Sequence, residues 1–73
     1  MSEYICIKDY NHKYIGIIYV GNIVSIKPHD IYRSYYVLEY RSMSSLIHIL
    51  EKYSCFMLLS EYRDLKLREL LYE

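Results

Sequence analysis

Residues 14–27 read YIGIIYVGNIVSIK, and this stretch decides the fold class that the sequence predicts. Two runs rich in β-branched residues, Tyr14–Val20 and Ile23–Lys27, flank the pair Gly21-Asn22. Because glycine accepts the positive φ of a type II′ turn at little cost, the pattern predicts a β-hairpin. Gly16, inside the first run, is typical of a bulge or of a close approach between backbones.

Further strands are predicted on both sides of this hairpin. Upstream, Tyr4–Lys8 is short, β-branched and alternating, and Asp9–His12 supplies turn-forming residues. Downstream, Pro28 ends the return strand because proline removes a donor from the strand ladder. After a loop, Tyr35–Tyr40 is the fourth predicted strand.

The spacing of the apolar residues changes in the second half of the chain. Between Ser42 and Tyr53 they recur at intervals of three and four, which predicts an amphipathic helix with Ser42 or Ser44 as its N-cap. The apolar run Cys55–Leu59 is too short for a helix and predicts a buried strand. Ser60 is the expected cap of a last helix. The inward stripe of that helix is expected to be Leu67, Leu70 and Leu71.

The predicted order is four strands, a helix, a strand and a helix, in a single compact domain covering residues 1–73. Short antiparallel strands of this number must curl, and helices must cover the open face. The predicted fold class is therefore α+β: a small curved antiparallel sheet or SH3-like barrel of about five strands, with one or two C-terminal helices.

Composition excludes a disordered chain and gives no long-range attraction to nucleic acid. The apolar fraction is 53%, and nine basic residues balance nine acidic ones. With little charge repulsion and so small a core, a homodimer is an expected possibility. Cys6 and Cys55 belong to no metal or redox spacing and are expected to be buried free thiols.

The same features predict a cytosolic protein that has no membrane association. No apolar run approaches the roughly 18 residues needed to span a bilayer. The first residues, Met1 to Tyr4, lack the basic and apolar regions of a signal peptide.

No constellation of residues predicts catalysis, a metal site or a cofactor. His12, His29 and His48 lack converging ligands at metal-binding spacing, so hydrogen-bonded or solvated roles are expected. Cys55 could meet His48 in space, but an apolar surrounding makes a thiol inert. We therefore expect a protein that is not an enzyme.

Eleven of the 73 residues are tyrosine, from Tyr4 to Tyr72. A domain of this size buries only roughly 60% of the surface of its unfolded chain, so several tyrosines should be exposed. Exposed tyrosine and arginine are typical of binding hot spots. The predicted partner-binding residues are Tyr10, Tyr14, Tyr32, Arg33, Tyr35, Tyr36 and Arg41.

Both ends of the chain carry motifs that suggest a relationship. Tyr4–Asp9 and the segment Phe56–Arg63 resemble the ends of a loose set of small SH3-like accessory proteins encoded by phages of Gram-positive bacteria. The resemblance implies a phage origin, a small-barrel fold and interaction with the host.

Two functional hypotheses follow from these observations, and a pocket between protomers that sequesters a small ligand is a third possibility. The first is a non-enzymatic protein that occludes a host protein, as a defence or replication component in the host cytoplasm, through a tyrosine-rich face. The alternative is a barrel that binds single-stranded nucleic acid by tyrosine stacking and arginine–phosphate contacts. The residues expected to carry the alternative are Tyr32, Arg33, Tyr35, Tyr36 and Arg41.

Overall fold

The structure is a computed structural model in which residues 2–71 are described. Its elements, in chain order, are β1 (Ser2–Cys6), β2 (Tyr10–His12), β3 (Gly16–Ile18), β4 (Ile23–Pro28), β5 (Tyr35–Tyr40), β6 (Met43–His48), α1 (Ile49–Cys55), β7 (Phe56–Leu58) and α2 (Leu59–Leu71). The strands form a five-stranded antiparallel sheet in the order β6-β5-β4-β1-β7 and a separate two-stranded sheet, β2-β3. The predicted α+β class is confirmed, as are an antiparallel sheet of five strands and two helices near the C-terminus.

Strand β1 joins the two halves of the large sheet. Tyr4 pairs with Val24 of β4 on one side and with Leu58 of β7 on the other. On its other edge, β4 pairs with β5, where Ile26 lies opposite Leu38. The first described residues of the chain therefore form an interior strand, held by hydrogen bonds along both of its edges.

One continuous core lies between the large sheet, the β2–β3 hairpin and α1. In β4, the buried Val24 and Ile26 alternate with more exposed neighbours, as the period of a half-buried strand requires. Tyr10 of β2 packs edge to face against Phe56 of β7, with 5.6 Å between the ring centroids. The most deeply buried side chains are Ile18, Leu38, Ile47 and Cys6. Cys55 is also buried, and both cysteines are free thiols, as expected.

The predicted hairpin at Gly21-Asn22 does not form, although Gly21 has the expected positive φ of 95°. Strand β3 pairs with β2, and β4 pairs with β1. The turn directs the chain across to β1 because Gly21 N donates to Cys6 O and Cys6 N donates to Asn22 O, both at 2.9 Å. Part of the predicted turn at Asp9–His12 is accordingly strand β2.

The predicted helix from Ser42 to Tyr53 is wrong in its first half. Met43–His48 is strand β6, paired with β5 through a two-residue turn, and the helix α1 begins only at Ile49. The cap of α1 is neither Ser42 nor Ser44 but His48, whose Nδ1 accepts a hydrogen bond from Leu50 N at 3.2 Å. Pairing with β5 satisfies the backbone of this segment in the extended form, which outweighs its helical spacing.

The C-terminal elements also differ from the prediction. Strand β7 is shorter than predicted, because Cys55 ends α1 and Leu59 already begins α2. Ser60 therefore lies inside α2 rather than before it. The predicted inward stripe of α2 is exposed, and no residue of the described helix is buried. The helix contacts the sheet at β1 and β7, and the longest dimension of the molecule is 42 Å. The exposed stripe comprises Leu67, Leu70 and Leu71.

Candidate functional site

The loop between β4 and β5 presents the densest group of the predicted binding residues. Tyr32 is 57% exposed, Arg33 and Tyr35 are exposed, and their neighbour Ile31 is 76% exposed. We call these four residues, Ile31, Tyr32, Arg33 and Tyr35, the Tyr32 surface. It combines the aromatic, aliphatic and guanidinium groups that are enriched at protein interfaces.

Backbone hydrogen bonds hold this loop in one conformation. His29 Nδ1 accepts from both Ile31 N and Tyr32 N at 3.1 Å. Tyr35 N donates to Tyr32 O at 3.2 Å, which closes a turn. At the far end of the loop, Ile49 N of α1 donates to Ser34 O at 2.8 Å. These hydrogen bonds restrict the backbone of the Tyr32 surface to one conformation, and such restriction is the kind that lowers the entropic cost of forming a contact.

Four aromatic rings form a connected row beneath and within this surface. His29 lies 5.2 Å from Tyr32, Tyr32 lies 6.3 Å from Tyr35, and Tyr35 lies 5.3 Å from His48, measured between ring centroids. A tyrosine pair such as Tyr32–Tyr35 contributes about 0.5–1.5 kcal/mol beyond the burial of apolar area. The row restricts the rotamers of both tyrosines while leaving their outer parts open to solvent.

Tyr10 does not belong to an exposed surface, contrary to expectation. Its ring is buried in the core and its Oη donates a hydrogen bond to Glu51 Oε2. Burial, together with the Glu51 carboxylate, raises the pKa of Tyr10 well above its ordinary value. Tyr14 is exposed in the β2–β3 turn, where Lys13 Nζ lies 5.6 Å from its ring centroid.

Tyr36 belongs to a separate feature that encloses Lys52. The Lys52 side chain is only 7% exposed, and its Nζ lies 4.6 Å from the Tyr36 ring centroid, 5.0 Å from that of Tyr4 and 4.4 Å from that of Tyr53. Within residues 2–71 no carboxylate pairs with this ammonium. Three aromatic faces offset part of the cost of removing the charge from water. We call this arrangement the Lys52 cage.

Arg41 stands at the opposite end of β5 from the Tyr32 surface. It lies in the turn between Tyr40 and Met43, and its guanidinium carbon is 5.1 Å from the Tyr40 ring centroid. At about 3.3 Å per residue, the six steps along the chain from Tyr35 to Arg41 span roughly 20 Å. The seven predicted residues therefore do not form one contiguous site. Tyr32, Arg33 and Tyr35 are the ones that lie together.

Sequence reasoning missed the common role of the three histidines. His12 Nδ1 accepts from Tyr14 N at 3.0 Å and from Ile15 N at 3.2 Å, and its Nε2 lies 3.2 Å from Leu46 O. These contacts assign the neutral tautomer in which Nε2 carries the proton and donates to Leu46 O. His29 and His48 accept backbone N–H groups through Nδ1 in the same manner. Each histidine thus starts a turn or a helix, as an aspartate or asparagine commonly does.

The thiols and the histidines are not arranged as a reactive group. Burial raises the pKa of Cys6 and of Cys55, which disfavours the thiolate that a nucleophile or metal ligand requires. Cys6 Sγ donates to Lys8 O at 3.0 Å. In the part of the chain that the structure describes, no three side chains of histidine, cysteine, aspartate or glutamate are grouped to hold a metal ion.

Comparison with known proteins gives no match to this chain among family models, curated proteins or solved structures. Between residues 2 and 71, no helix has both the length and the apolar character needed to cross a membrane. The geometry of the Tyr32 surface is therefore the basis for assigning a function.

Proposed function

We propose that this chain is a non-enzymatic, phage-encoded protein that binds and occludes a host protein in the host cytoplasm. The target is a component of host defence or replication, and the Tyr32 surface makes the contact. The proposal includes an SH3-like barrel as the finer description of the fold. The pairing of β1 with both β4 and β7, and the packing of Tyr10 of the β2–β3 hairpin against Phe56 of β7, support that description.

The observation that carries the proposal is an exposed surface that is also rigid. Contiguous patches of exposed apolar side chains often mark contacts with other molecules. Here the loop that bears them is fixed by His29 and by the hydrogen bond from Ile49 to Ser34. Tyrosine has few torsions to immobilise and arginine offers five donors, so a prepared surface of this composition is efficient in a small binder.

The mechanism of inhibition would be steric. Leu50, 67% exposed at the start of α1, follows directly after the residue that anchors the loop and extends the apolar surface. A partner bound over Ile31, Tyr32 and Leu50 would have the contacted part of its own surface blocked, so its other ligands could not reach that part. No chemical step by this chain is required.

The test is affinity capture from a lysate of a Gram-positive host, followed by measurement of the dissociation constant for any recovered protein. We compare the wild type with Tyr32→Ala and with a matched control, Tyr19→Ala. Tyr19 is 58% exposed, nearly equal to Tyr32, but lies between β3 and β4. A central tyrosine hot spot is worth about 2 kcal/mol or more, so Tyr32→Ala should weaken binding roughly 30-fold.

Two outcomes would contradict the proposal. One is the recovery of no protein above background by the wild type. The other is a dissociation constant that changes equally in Tyr32→Ala and Tyr19→Ala, because such a result would mean that the Tyr32 surface is not the contact.

The nucleic-acid alternative loses part of its predicted surface in this geometry. The Tyr36 ring already faces Lys52, and Arg41 lies at the other end of β5. Tyr32, Arg33 and Tyr35 remain to contact a strand. Fluorescence anisotropy with a labelled single-stranded oligonucleotide tests this alternative. Binding that weakens steeply with salt and with Arg33→Ala would replace the protein-binding function.

A further inference from the structure

A cavity of about 410 Å³ lies beside the Lys52 cage, where β1, α1, β7 and the first turn of α2 meet. We call it the Lys52 cavity. Tyr4, Lys52 and Tyr53 belong both to the cage and to the lining of the cavity. The remaining lining residues are Ile7, Phe56, Met57, Leu58 and Glu61. The volume falls within the range of small-molecule sites, about 300–1,000 Å³.

Lys52 brings to this cavity an ammonium that has no anionic partner. Its side chain is 7% exposed, and within residues 2–71 it forms no ion pair. The carboxylate next to it in the chain, that of Glu51, already accepts a hydrogen bond from Tyr10 Oη. Every fully buried side-chain nitrogen or oxygen in the described chain has a hydrogen-bond partner. Because Lys52 Nζ has none, its tip must reach solvent, and the cavity that Lys52 lines is the opening.

The tyrosine rings of the cage satisfy this ammonium only in part. An ammonium has three N–H donors, and the face of a ring is a weak acceptor for them. An anionic oxygen in the cavity would accept a charge-assisted hydrogen bond from Lys52 Nζ in a place that is largely shielded from water. We propose that the Lys52 cavity binds a small organic carboxylate whose apolar body lies against Ile7 and Phe56.

The lining selects one negative charge on an apolar body. Among residues 2–71, Lys52 is the one cationic side chain of the cavity and Glu61 is the one acidic side chain. A dianion such as phosphate would be attracted by one and repelled by the other, and it would leave the apolar wall uncovered. A carboxylate on a short chain places its charge at Lys52 and removes its own apolar surface, together with that of the wall, from water.

The test is a heteronuclear NMR titration of the full chain with hexanoate, hexanol and hexylamine, which share one apolar chain and differ in charge. Hexanoate should bind with a dissociation constant on the order of 1 mM or lower, as suits so small a ligand. Hexanol and hexylamine should bind at least about 10-fold more weakly, because neither offers an anionic oxygen to Lys52. Inorganic phosphate should not bind over the same range. No binding of hexanoate, or equal binding of hexanol or phosphate, would overturn the inference.

Substitutions assign the effect to Lys52. Lys52→Met keeps the apolar stem, removes the charge and should raise the dissociation constant of hexanoate at least about 10-fold. The matched control is Lys13→Met, because Lys13 Nζ also lies beside a tyrosine ring, that of Tyr14, but outside the cavity. It should leave the dissociation constant unchanged. Glu61→Gln removes the like charge from the lining and should tighten hexanoate binding about 2-fold.

Two readouts keep the inference falsifiable if Lys52→Met does not fold. Glu61 is exposed, so Glu61→Gln should keep the helix content seen by circular dichroism, and weaker hexanoate binding by this variant contradicts the inference. In the wild type, the largest shifts of amide signals should occur at Ile7, Met57 and Leu58; shifts confined to other residues also contradict it. A folded Lys52→Met variant with full affinity would do the same.

This inference is independent of the proposed function. No residue of the Tyr32 surface lines the Lys52 cavity. Tyr32→Ala should therefore leave the affinity for hexanoate unchanged, and Lys52→Met, if folded, should leave capture of the host protein unchanged. Failure of one proposal is thus distinguishable from failure of the other.

Discussion

In the turn between β5 and β6, we expect a substitution that raises the free energy of unfolding, whereas most substitutions lower it. Arg41 has φ 51° and Ser42 has φ 64°, although neither is glycine. They form the two-residue turn between the paired residues Tyr40 and Met43. The left-handed region costs a residue with a Cβ about 1–2 kcal/mol, and turns of this type prefer Asn-Gly. We therefore expect Ser42→Gly to stabilise the protein.

The magnitude follows from two opposing contributions. Replacing Ser42 with glycine removes the strain of about 1–2 kcal/mol at this position. Against it stands the greater freedom of glycine in the unfolded chain, which costs about 0.5–1 kcal/mol. The net gain is about 0.5–1 kcal/mol in the free energy of unfolding, or roughly 2–8 °C in Tm for a domain of this size.

Thermal and urea denaturation, followed by circular dichroism, measure this difference. The matched control is Ser45→Gly, the same chemical change within the extended strand β6. It should lower stability by about 0.5–1 kcal/mol, because glycine weakens a strand interior. If residues 42–53 were helical, Ser42 would be an N-cap and its replacement by glycine would cost a few tenths of a kcal/mol. A lower Tm for Ser42→Gly would therefore refute the turn.

Four further predictions concern buried side chains and their contacts. Leu38 is fully buried at the centre of β5, so Leu38→Ala should lower the free energy of unfolding by about 2–5 kcal/mol, measured by urea denaturation. A loss below about 1 kcal/mol would argue against this core. A double-mutant cycle with Lys52→Met and Tyr53→Leu should give a coupling of about 0.5–1 kcal/mol in the free energy of unfolding, because the two side chains form a cation–π contact. If the effects of the two substitutions simply add, the Tyr53 ring does not stabilise the Lys52 ammonium. Because burial raises the pKa of Cys6 and Cys55, the thiols of the unfolded chain ionise first; the contribution of these two thiols to the free energy of unfolding should be constant below about pH 8.5 and fall as pH rises further, and a rise there would contradict it. Both thiols should also react with iodoacetamide at a measurable rate only when denaturant is added.

The sequence predicted the strands whose side chains alternate and whose ends are marked by turn formers. β1, β4 and β5 all lie close to their predicted positions. It failed at β6, where Met43 and Leu46 contribute to a helical spacing but are exposed, and only Ile47 is buried. Which of the two forms this segment takes depends on β5, and pairing between strands is not encoded in local spacing.

The candidate functional residues also divide into those that are close in the sequence and those that only folding brings together. The clustering of Tyr32, Arg33 and Tyr35 could be inferred because they are neighbours in the chain. The histidine caps carried a local signal as well, since a side-chain acceptor two or three residues before a free N–H is a known turn pattern. The Lys52 cage carried none, because its rings come from β1, β5 and α1, and only the folded chain brings them together.

The position of β1 has a consequence for how the molecule is made. Cys6 pairs with Phe56, so the sheet is completed only when segments fifty residues apart find each other. The β4-β5-β6 meander needs only short loops and is expected to nucleate first, since closing a long loop is the slower event. During synthesis on the ribosome, the edge of β1 that finally pairs with β7 therefore stays unpaired until the last quarter of the chain has emerged. A protease or chaperone that meets the nascent protein would find this edge of β1 open.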